Sequence, residues 1–232
     1  MRSVSINIFF DMETIPTTRA DIQARCVADV APPGNYKKPE SIAQWWASEG
    51  DAKKAEAISR TALDGTWGEI LCIGYAIDDG DVQVIGRGLT EADLLNTFGL
   101  MLSSQCSKLV ASGDMWEPIA KWIGHNIIDF DLRFLWQRAK ILGHRLPFDL
   151  PLGKSDHYGP RVYDTMKEWA GHRDRISQVD LEIAFGIERT DPLPNGGADV
   201  FTAYQQDRID DIKEHCRLDV TNLRAIYRRL HG

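Results

Sequence analysis

The 232-residue sequence lacks paired cysteines, long apolar runs and an excess of basic residues. No C-x-x-C pair occurs among its four cysteines, so neither a zinc site nor a disulfide framework is indicated and a reduced protein is favoured. No stretch approaches the roughly 20 apolar residues of a membrane span. The N-terminal segment is unlike a signal peptide because Ser and Asn interrupt its apolar residues. We therefore expect a soluble, cytoplasmic protein. The net charge of −7 gives no bulk electrostatic argument for a nucleic-acid partner.

Hydrophobic residues make up 43% of the sequence, enough to bury a core, and the length favours one domain spanning residues 1–232. Alternating apolar residues from Val4 to Phe10 predict a first strand, and a long helix is predicted from about Arg208 to Leu230. Four further segments have strand character: EILCIGYAI, VQVIG, AKWIGHN and RVYDT. Because helical segments alternate with the later strands, the pattern predicts an α/β fold with a mixed sheet flanked by helices. A helical insertion is expected between the first two strands, at about residues 17–66.

Two carboxylates, Asp11 and Glu13, follow the apolar residues of the first strand in the stretch FDMET. Residues i and i+2 of a strand share a face, so these side chains should stand about 6.6 to 6.8 Å apart at the C-terminal end of the strand. An acid-x-acid pair arises by chance about five times in a chain this acidic, so its presence alone is weak evidence. We expect the pair on a face that is otherwise Val, Ile and Phe, where a buried charge needs a partner or a metal ion.

A second acidic segment, GHNIIDFDLRFL, runs from the end of a predicted strand into a helix. Asp129 and Asp131 fall in the first helical turn, where carboxylates often cap the helix. That role suffices for Asp129. Asp131 is surrounded by apolar residues, so we expect it near the buried side. Asn126 lies at the strand tip, where its side chain either contacts a ligand or closes the turn.

A third segment, EHCRLDV, lies inside the last predicted helix. His215 and Asp219 are four residues apart and therefore share one helix face. Taken alone, the pair is an ordinary surface pair of His and Asp. Cys216 and Val220 follow its two members directly, which places the pair at the border of the apolar stripe, where polar groups can enter a cleft.

The three acidic segments together favour a metal site. Mg²⁺ takes oxygen ligands, and two such ions about 3.5 to 4 Å apart can hold both the attacking and the leaving oxygen of a phosphodiester. Two closely spaced ions need several converging carboxylates, which these segments can supply.

The motifs FDMET, HNIIDFDLRFL and EHCRLDV, in this order, closely resemble the three exonuclease motifs of the DEDD superfamily of 3'-5' exonucleases, which have the ribonuclease H-like fold. The spacing from Asn126 to Asp131 is similar to that of the exonuclease domain of family B DNA polymerases. The tract from ISQVDLEIAFG to EHCRLDV and the insertion with NYKKPESIA also look like predicted polymerase-B-like exonucleases. The resemblance covers nearly the whole chain and implies a five-stranded sheet. It includes no polymerase domain and so implies a stand-alone nuclease.

The resemblance implies a role for each matching residue. Four carboxylates would bind two divalent ions, Mg²⁺ or Mn²⁺. Asp11 would bridge both ions, Glu13 and Asp219 would complete the site of the water-activating ion, and Asp131 would hold the second ion, partly through water. His215 occupies the general-base position. Three further residues would contact the terminal nucleotide: Thr14, Asn126 and Phe130.

His215 departs from the superfamily pattern, because members with Tyr usually show Y-x-x-x-D and members with His usually show H-x-x-x-x-D. His215 and Asp219 place His in the Tyr spacing. The substitution is chemically workable, since a histidine with an ordinary pKa near 6.5 can accept a proton at neutral pH.

The expected activity is metal-dependent 3'-5' hydrolysis of single-stranded DNA by a two-metal-ion mechanism, with release of nucleoside monophosphates. Two alternatives remain open. One is a 3'-5' exoribonuclease of the same superfamily, since RNA is also a possible substrate. The other is a catalytically silent module that binds single-stranded nucleic acid. No membrane partner is expected.

Overall fold

The computed structural model describes residues 5–86, 88–109, 119–153, 159–171 and 173–231. Within them lies an α/β fold with a mixed five-stranded sheet flanked by helices, as predicted. The strands are β1 (Ser5–Ile15), β2 (Glu69–Ile77), β3 (Gln83–Ile85), β4 (Ile119–Gly124) and β5 (Val162–Asp164). Their order is β3-β2-β1-β4-β5. The β1–β2 and β2–β3 pairs are antiparallel, whereas β1–β4 and β4–β5 are parallel.

The described helices flank this sheet and also form the predicted insertion. They are α1 (Ala20–Ala28), α2 (Pro39–Ser48), α3 (Gly50–Ser59), α4 (Glu91–Leu109), α5 (Asp131–Ile141), α6 (Thr165–Ala170), α7 (Gln178–Phe185), α8 (Gly197–Gln205) and α9 (Ile209–His231). Helices α1 to α3 and a 3₁₀ turn at Arg60–Leu63 lie between β1 and β2, which confirms the helical insertion. In the described part of the chain, no helix combines the length and the apolarity needed to cross a membrane.

Strand β1 differs from the prediction in its length and in the face that carries the acids. It continues to Ile15 because β2 pairs with it to that residue, so Asp11 and Glu13 lie within the strand and not at its end. Strand alternation also places them opposite the face of Ile8 and Phe10, contrary to our expectation. Both faces are nevertheless buried because β1 is central in the sheet: Phe10 packs against Trp122, whereas Phe9 packs against Tyr227 of α9.

Helix α9 covers the acid-bearing face of β1 and β2. Its apolar positions Ile212, Cys216, Leu223 and Ile226 are buried, as the helical periodicity predicted. The close approach depends on Gly74 of β2, which pairs with Asp11, because a Cβ atom there would lie 2.7 Å from Cys216 Sγ. At the other end of α9, the Arg224 guanidinium donates a 2.6 Å hydrogen bond to the carbonyl of Gly80 in the turn between β2 and β3.

Candidate metal centre

The fold brings the predicted acidic residues of three elements to one place. Asp11 and Glu13 come from β1, Asp131 is the first residue of α5, and His215 and Asp219 come from α9. Two groups of three have potential ligand atoms within 4.8 Å of one another. One consists of Asp11, Glu13 and Cys216, and the other of Glu13, His215 and Asp219. Glu13 belongs to both groups and therefore links the strand carboxylates to the helix residues.

His215 lies between the two sets of carboxylates. Its Nε2 atom is 3.3 Å from Asp219 Oδ2 and 3.6 Å from Glu13 Oε1. The residue is buried, with 3% of its surface exposed. The pair with Asp219 is thus not the exposed surface pair that sequence reasoning left open, because α9 turns this face towards β1.

Asp131 is connected to the other acids by a hydrogen bond from β1 and by electrostatic repulsion. The backbone N–H of Met12, between the two strand acids, donates a hydrogen bond to its carboxyl group. Burial, together with the charges of Asp164 and Asp219, raises the pKa of Asp131 to about 8, and backbone hydrogen bonds oppose part of this shift. Proximity of several like charges in a buried site is the arrangement that a cation would stabilise.

The two strand acids are perturbed in the same direction. Burial, followed by the charges of Asp219 and Asp131, holds the pKa of Asp11 well above its ordinary value. Burial, followed by the charge of Asp11, does the same to the pKa of Glu13. Both carboxyl groups therefore bind a proton more tightly in the folded protein than in an exposed chain, and a bound cation would replace that proton.

The donor atoms fit a divalent cation with oxygen ligands. Asp11 Oδ2 is buried and has no hydrogen-bond partner in the described part of the chain. An unpaired buried carboxylate oxygen is costly, and a cation removes that cost. Carboxylate oxygens are the ligands that Mg²⁺ and Mn²⁺ prefer. Asp11, Glu13, Asp131 and Asp219 form a suitable set, and Cys216 and His215 add softer donors beside it.

Asn126 stands at the tip of β4 in a left-handed conformation, with φ of 62°. Its backbone N–H donates a 2.9 Å hydrogen bond to Asp164, which also caps α6. The side-chain Oδ1 of Asn126 is buried and has no partner among the described residues. Asn126 therefore closes the turn through its backbone and retains a free side-chain acceptor, so the two roles that the sequence left open are compatible.

Thr14 and Phe130 lie at the edges of the site. The hydroxyl of Thr14 donates a 2.7 Å hydrogen bond to the carbonyl of Ala62, and its side chain lines a cavity of about 340 Å³ together with Leu63 and Phe201. Phe130 is half-buried and packs on Phe134 with ring centroids 5.5 Å apart. Neither residue is part of the acidic cluster itself.

Asp129 does not cap α5, contrary to our expectation. The helix begins at Asp131, so Phe130 occupies the capping position and Asp129 lies one residue further out. The Asp129 carboxylate instead accepts a 2.6 Å hydrogen bond from Lys167 Nζ. The ion pair connects the turn before α5 to α6.

Sequence reasoning missed a group of three residues beside His215. Arg189 Nη1 lies 2.7 Å from Asp219 Oδ1 and 3.0 Å from Glu182 Oε1. Arg189 Nη2 and Nε contact Asp191 Oδ2, and the same oxygen lies 2.7 Å from His215 Nδ1. The segment IERTDP between α7 and α8 supplies two of these residues. Its only signal in the sequence is an Arg-x-Asp pair in a loop, which is common on surfaces.

Comparison with known proteins adds no family assignment: no protein-family model matches the chain, and no curated protein matches its sequence.

Proposed function

We propose that this protein is a metal-dependent 3'-5' exonuclease that hydrolyses single-stranded DNA and releases nucleoside monophosphates. The observation that carries the proposal is the convergence of four buried or partly buried carboxylates, with His215 beside Glu13 and Asp219 and with Asp11 Oδ2 left without a hydrogen-bond partner among the described residues. The order and spacing of the three motifs, which resemble those of the DEDD superfamily, supply the polarity and the substrate class. The mixed five-stranded sheet is compatible with the ribonuclease H-like fold that we propose.

Two divalent ions, Mg²⁺ or Mn²⁺, fit this set of ligands. Asp11, Glu13, Asp131 and Asp219 would hold these ions, as the resemblance to the superfamily implies. Divalent ions in such sites make a water molecule more acidic and stabilise charge on the attacking and leaving oxygens of the phosphate.

The protein's own side chains contribute a base and substrate contacts. The Nε2 atom of His215 faces Glu13 and Asp219, where it can accept the proton of the attacking water as the new P–O bond forms and the 3' oxygen leaves. Asn126 Oδ1 offers a buried acceptor to the terminal nucleotide. Thr14 and Phe130 adjoin Glu13 and Asp131 in the sequence, and we assign both to contacts with the terminal nucleotide.

A silent nucleic-acid-binding module is less well supported. Such a module gains nothing from an unpartnered carboxylate oxygen buried beside three other acids, since that arrangement lowers the stability of the fold. RNA remains the alternative substrate, and matched DNA and RNA oligonucleotides would distinguish an exodeoxyribonuclease from an exoribonuclease.

The proposal is tested by incubating the purified protein with a 5'-labelled single-stranded DNA oligonucleotide in Mg²⁺, in Mn²⁺ and in EDTA. We expect products that shorten from the 3' end with either metal and no cleavage in EDTA. Asp11→Ala should lower the rate by about 10³-fold or more, because it removes several kcal/mol of transition-state stabilisation. The control Asp51→Ala changes a carboxylate whose side chain is 99% exposed, and it should cleave normally.

Undiminished cleavage by Asp11→Ala would remove the assignment of the site. Loss of cleavage in all metals with both DNA and RNA, in a folded protein, would instead favour the binding module.

A further inference from the structure

We propose that Asp191, held in place by Arg189, positions His215 so that its Nε2 atom presents a lone pair to Glu13 and Asp219. Asp191 is therefore a positioning residue that acts through His215. The inference rests on the proposed function for its catalytic consequence, but its structural content is a hydrogen-bond arrangement that can be measured without substrate.

The contact between Asp191 and His215 determines the tautomer of the histidine. Asp191 Oδ2 lies 2.7 Å from His215 Nδ1. A carboxylate only accepts hydrogen bonds, so a contact this short requires the proton on Nδ1. In the neutral imidazole the other nitrogen, Nε2, then carries no proton. This is the nitrogen that faces the acidic cluster, and the tautomer makes it an acceptor.

Arg189 links Asp191 to Asp219 of α9. Its guanidinium contacts Asp191 through Nε and Nη2, while Nη1 lies 2.7 Å from Asp219 Oδ1. Asp191 Oδ1 also accepts a 2.8 Å hydrogen bond from the backbone of Leu193. Both oxygens of Asp191 are therefore occupied, and the carboxylate cannot rotate away from His215 without breaking several charge-assisted hydrogen bonds.

Because Arg189 also contacts His215 Nδ1, the Asp191 carboxylate is needed to keep the proton on that nitrogen. Arg189 Nη2 lies 3.0 Å from His215 Nδ1, so it is the second polar group at that nitrogen. Arginine only donates. Without Asp191, this donor would bond to Nδ1 and the proton would move to Nε2. That tautomer directs an N–H group at the acidic cluster, where it cannot accept a proton from water.

The far side of this arrangement is accessible to small molecules. A cavity of about 390 Å³ is lined by Glu182, Arg189 and Asp191, together with apolar side chains that include Ile183. Removing the Asp191 carboxyl group would leave the Arg189 guanidinium facing this space. A small anion such as formate can then enter and take the place of the missing carboxylate.

The first test measures the tautomer of His215 by ¹⁵N NMR on the neutral ring. The protein has six histidines, so the signal is identified by its loss in His215→Gln. We expect the wild type to carry the proton on Nδ1 and Asp191→Ala to carry it on Nε2. The control Asp199→Ala, which changes a half-buried carboxylate that bonds Asn195 and does not contact His215, should keep the wild-type tautomer.

A second variant covers the case in which Asp191→Ala does not fold. In Asp191→Asn the carbonyl oxygen should take the Oδ2 position, which faces three donors, and the Nδ1 proton should remain. A wild-type signal from an Nε2–H tautomer would contradict the inference by itself, and so would an Nε2–H tautomer in a folded Asp191→Asn.

The second test measures cleavage with and without formate. Loss of a group that orients a functional side chain typically lowers activity about 10- to 100-fold, and we expect this loss in Asp191→Ala. Formate should restore much of the rate in Asp191→Ala and leave Asp199→Ala unchanged. A rate in Asp191→Ala equal to that of the wild type, or a loss that formate does not reverse in a variant with the switched tautomer, would contradict the positioning role.

The two tests separate this inference from the proposed function. If the wild type does not cleave nucleic acid but shows the expected tautomers, the exonuclease proposal fails and the arrangement of Asp191 and His215 stands. If it cleaves normally but His215 keeps one tautomer in all variants, the positioning role fails and the exonuclease proposal stands.

Discussion

The candidate metal centre has a strand half, Asp11 and Glu13 of β1, and a helix half, His215 and Asp219 of α9. The negative charges of the two halves are balanced in different ways. On β1, the half-buried Asp11 and the buried Glu13 have no Lys or Arg partner in the described part of the chain, and Asp11 Oδ2 has no hydrogen-bond partner there. On α9, Asp219 is paired with Arg189, and His215 is bonded to Asp191. The strand half thus depends on an external cation or on bound protons, whereas the helix half carries its own counter-charge.

This difference suggests separate roles for the two halves: binding of a cation by the strand half and positioning of the reacting groups by the helix half. Under the proposed function, the strand acids with raised pKa values would exchange protons for a metal ion, so their charge state would vary with conditions. Asp219 is already held by Arg189, and such preorganised groups lose little entropy when a ligand binds. The helix half would orient the reacting groups, and the strand half would supply most of the affinity for the cation.

The largest expected effect comes from removing the counter-charge of the helix half. Arg189→Met keeps an apolar stem but leaves Glu182 and Asp219 without their partner. Breaking a buried ion pair costs about 3 to 5 kcal/mol, and we expect a loss of that order in the free energy of unfolding measured with urea. The matched variant Arg217→Met breaks an exposed pair with Glu214 and should cost about 1 kcal/mol or less. Equal losses in the two variants would contradict the internal counter-ion role.

A smaller effect is expected from separating the two halves. In Gly74→Ala the added Cβ atom would lie 2.7 Å from Cys216 Sγ and 3.0 Å from Val220 Cγ2, so α9 has to shift. Overpacking of this kind costs about 1 to 3 kcal/mol. Thermal unfolding and cleavage should both be impaired. Gly34→Ala, where an added Cβ atom meets nothing within 4 Å, is the control, and an unchanged Gly74→Ala protein would contradict the tight approach of α9.

The smallest effect, counted per pH unit, is the dependence of the free energy of unfolding on pH in EDTA. The pKa of Asp131 is about 8 in the folded protein and near its ordinary value of 3.8 in the unfolded chain. Between these values the folded state holds a proton that the unfolded state has lost. The free energy of unfolding should therefore fall as pH rises, by up to about 1.4 kcal/mol per pH unit for one proton.

Urea unfolding at several pH values measures this slope. Asp131→Asn should make the slope less steep in EDTA by removing one of the groups with a raised pKa, and Mg²⁺ should flatten it in the wild type because the cation replaces the bound protons. The matched variant Asp51→Asn should retain the wild-type slope. A slope of the opposite sign in EDTA would show that Asp131 and the acids of the strand half are ionised without a cation.

The sequence predicted the parts of this structure that depend on local pattern. EILCIGYAI matches β2 residue for residue, and the last helix begins and ends within one residue of the prediction. Asp11 and Glu13 share one face of β1, and His215 and Asp219 share one face of α9, as strand parity and helical spacing predict.

The remaining features depend on long-range packing, which local pattern does not encode. Strand β1 is longer than predicted because β2 pairs beside the acids, and its acids face α9 because that helix covers the odd-numbered side. Arg189 and Asp191 come from a loop, and only the docking of α9 brings them to His215. Their role could not be inferred from an Arg-x-Asp pair that has no helical or strand periodicity.

The two halves lie far apart in the sequence, and this separation determines when the centre can form during synthesis. Glu13 and His215 meet although they belong to the first strand and the last helix described. During synthesis, β1 leaves the ribosome long before α9 has been made, and the contact forms only after α9 emerges. Under the proposed function, an unfinished chain that lacks α9 would therefore carry at most three of the four acids and no working centre, and a nascent polypeptide could not cut the nucleic acid beside which it is made.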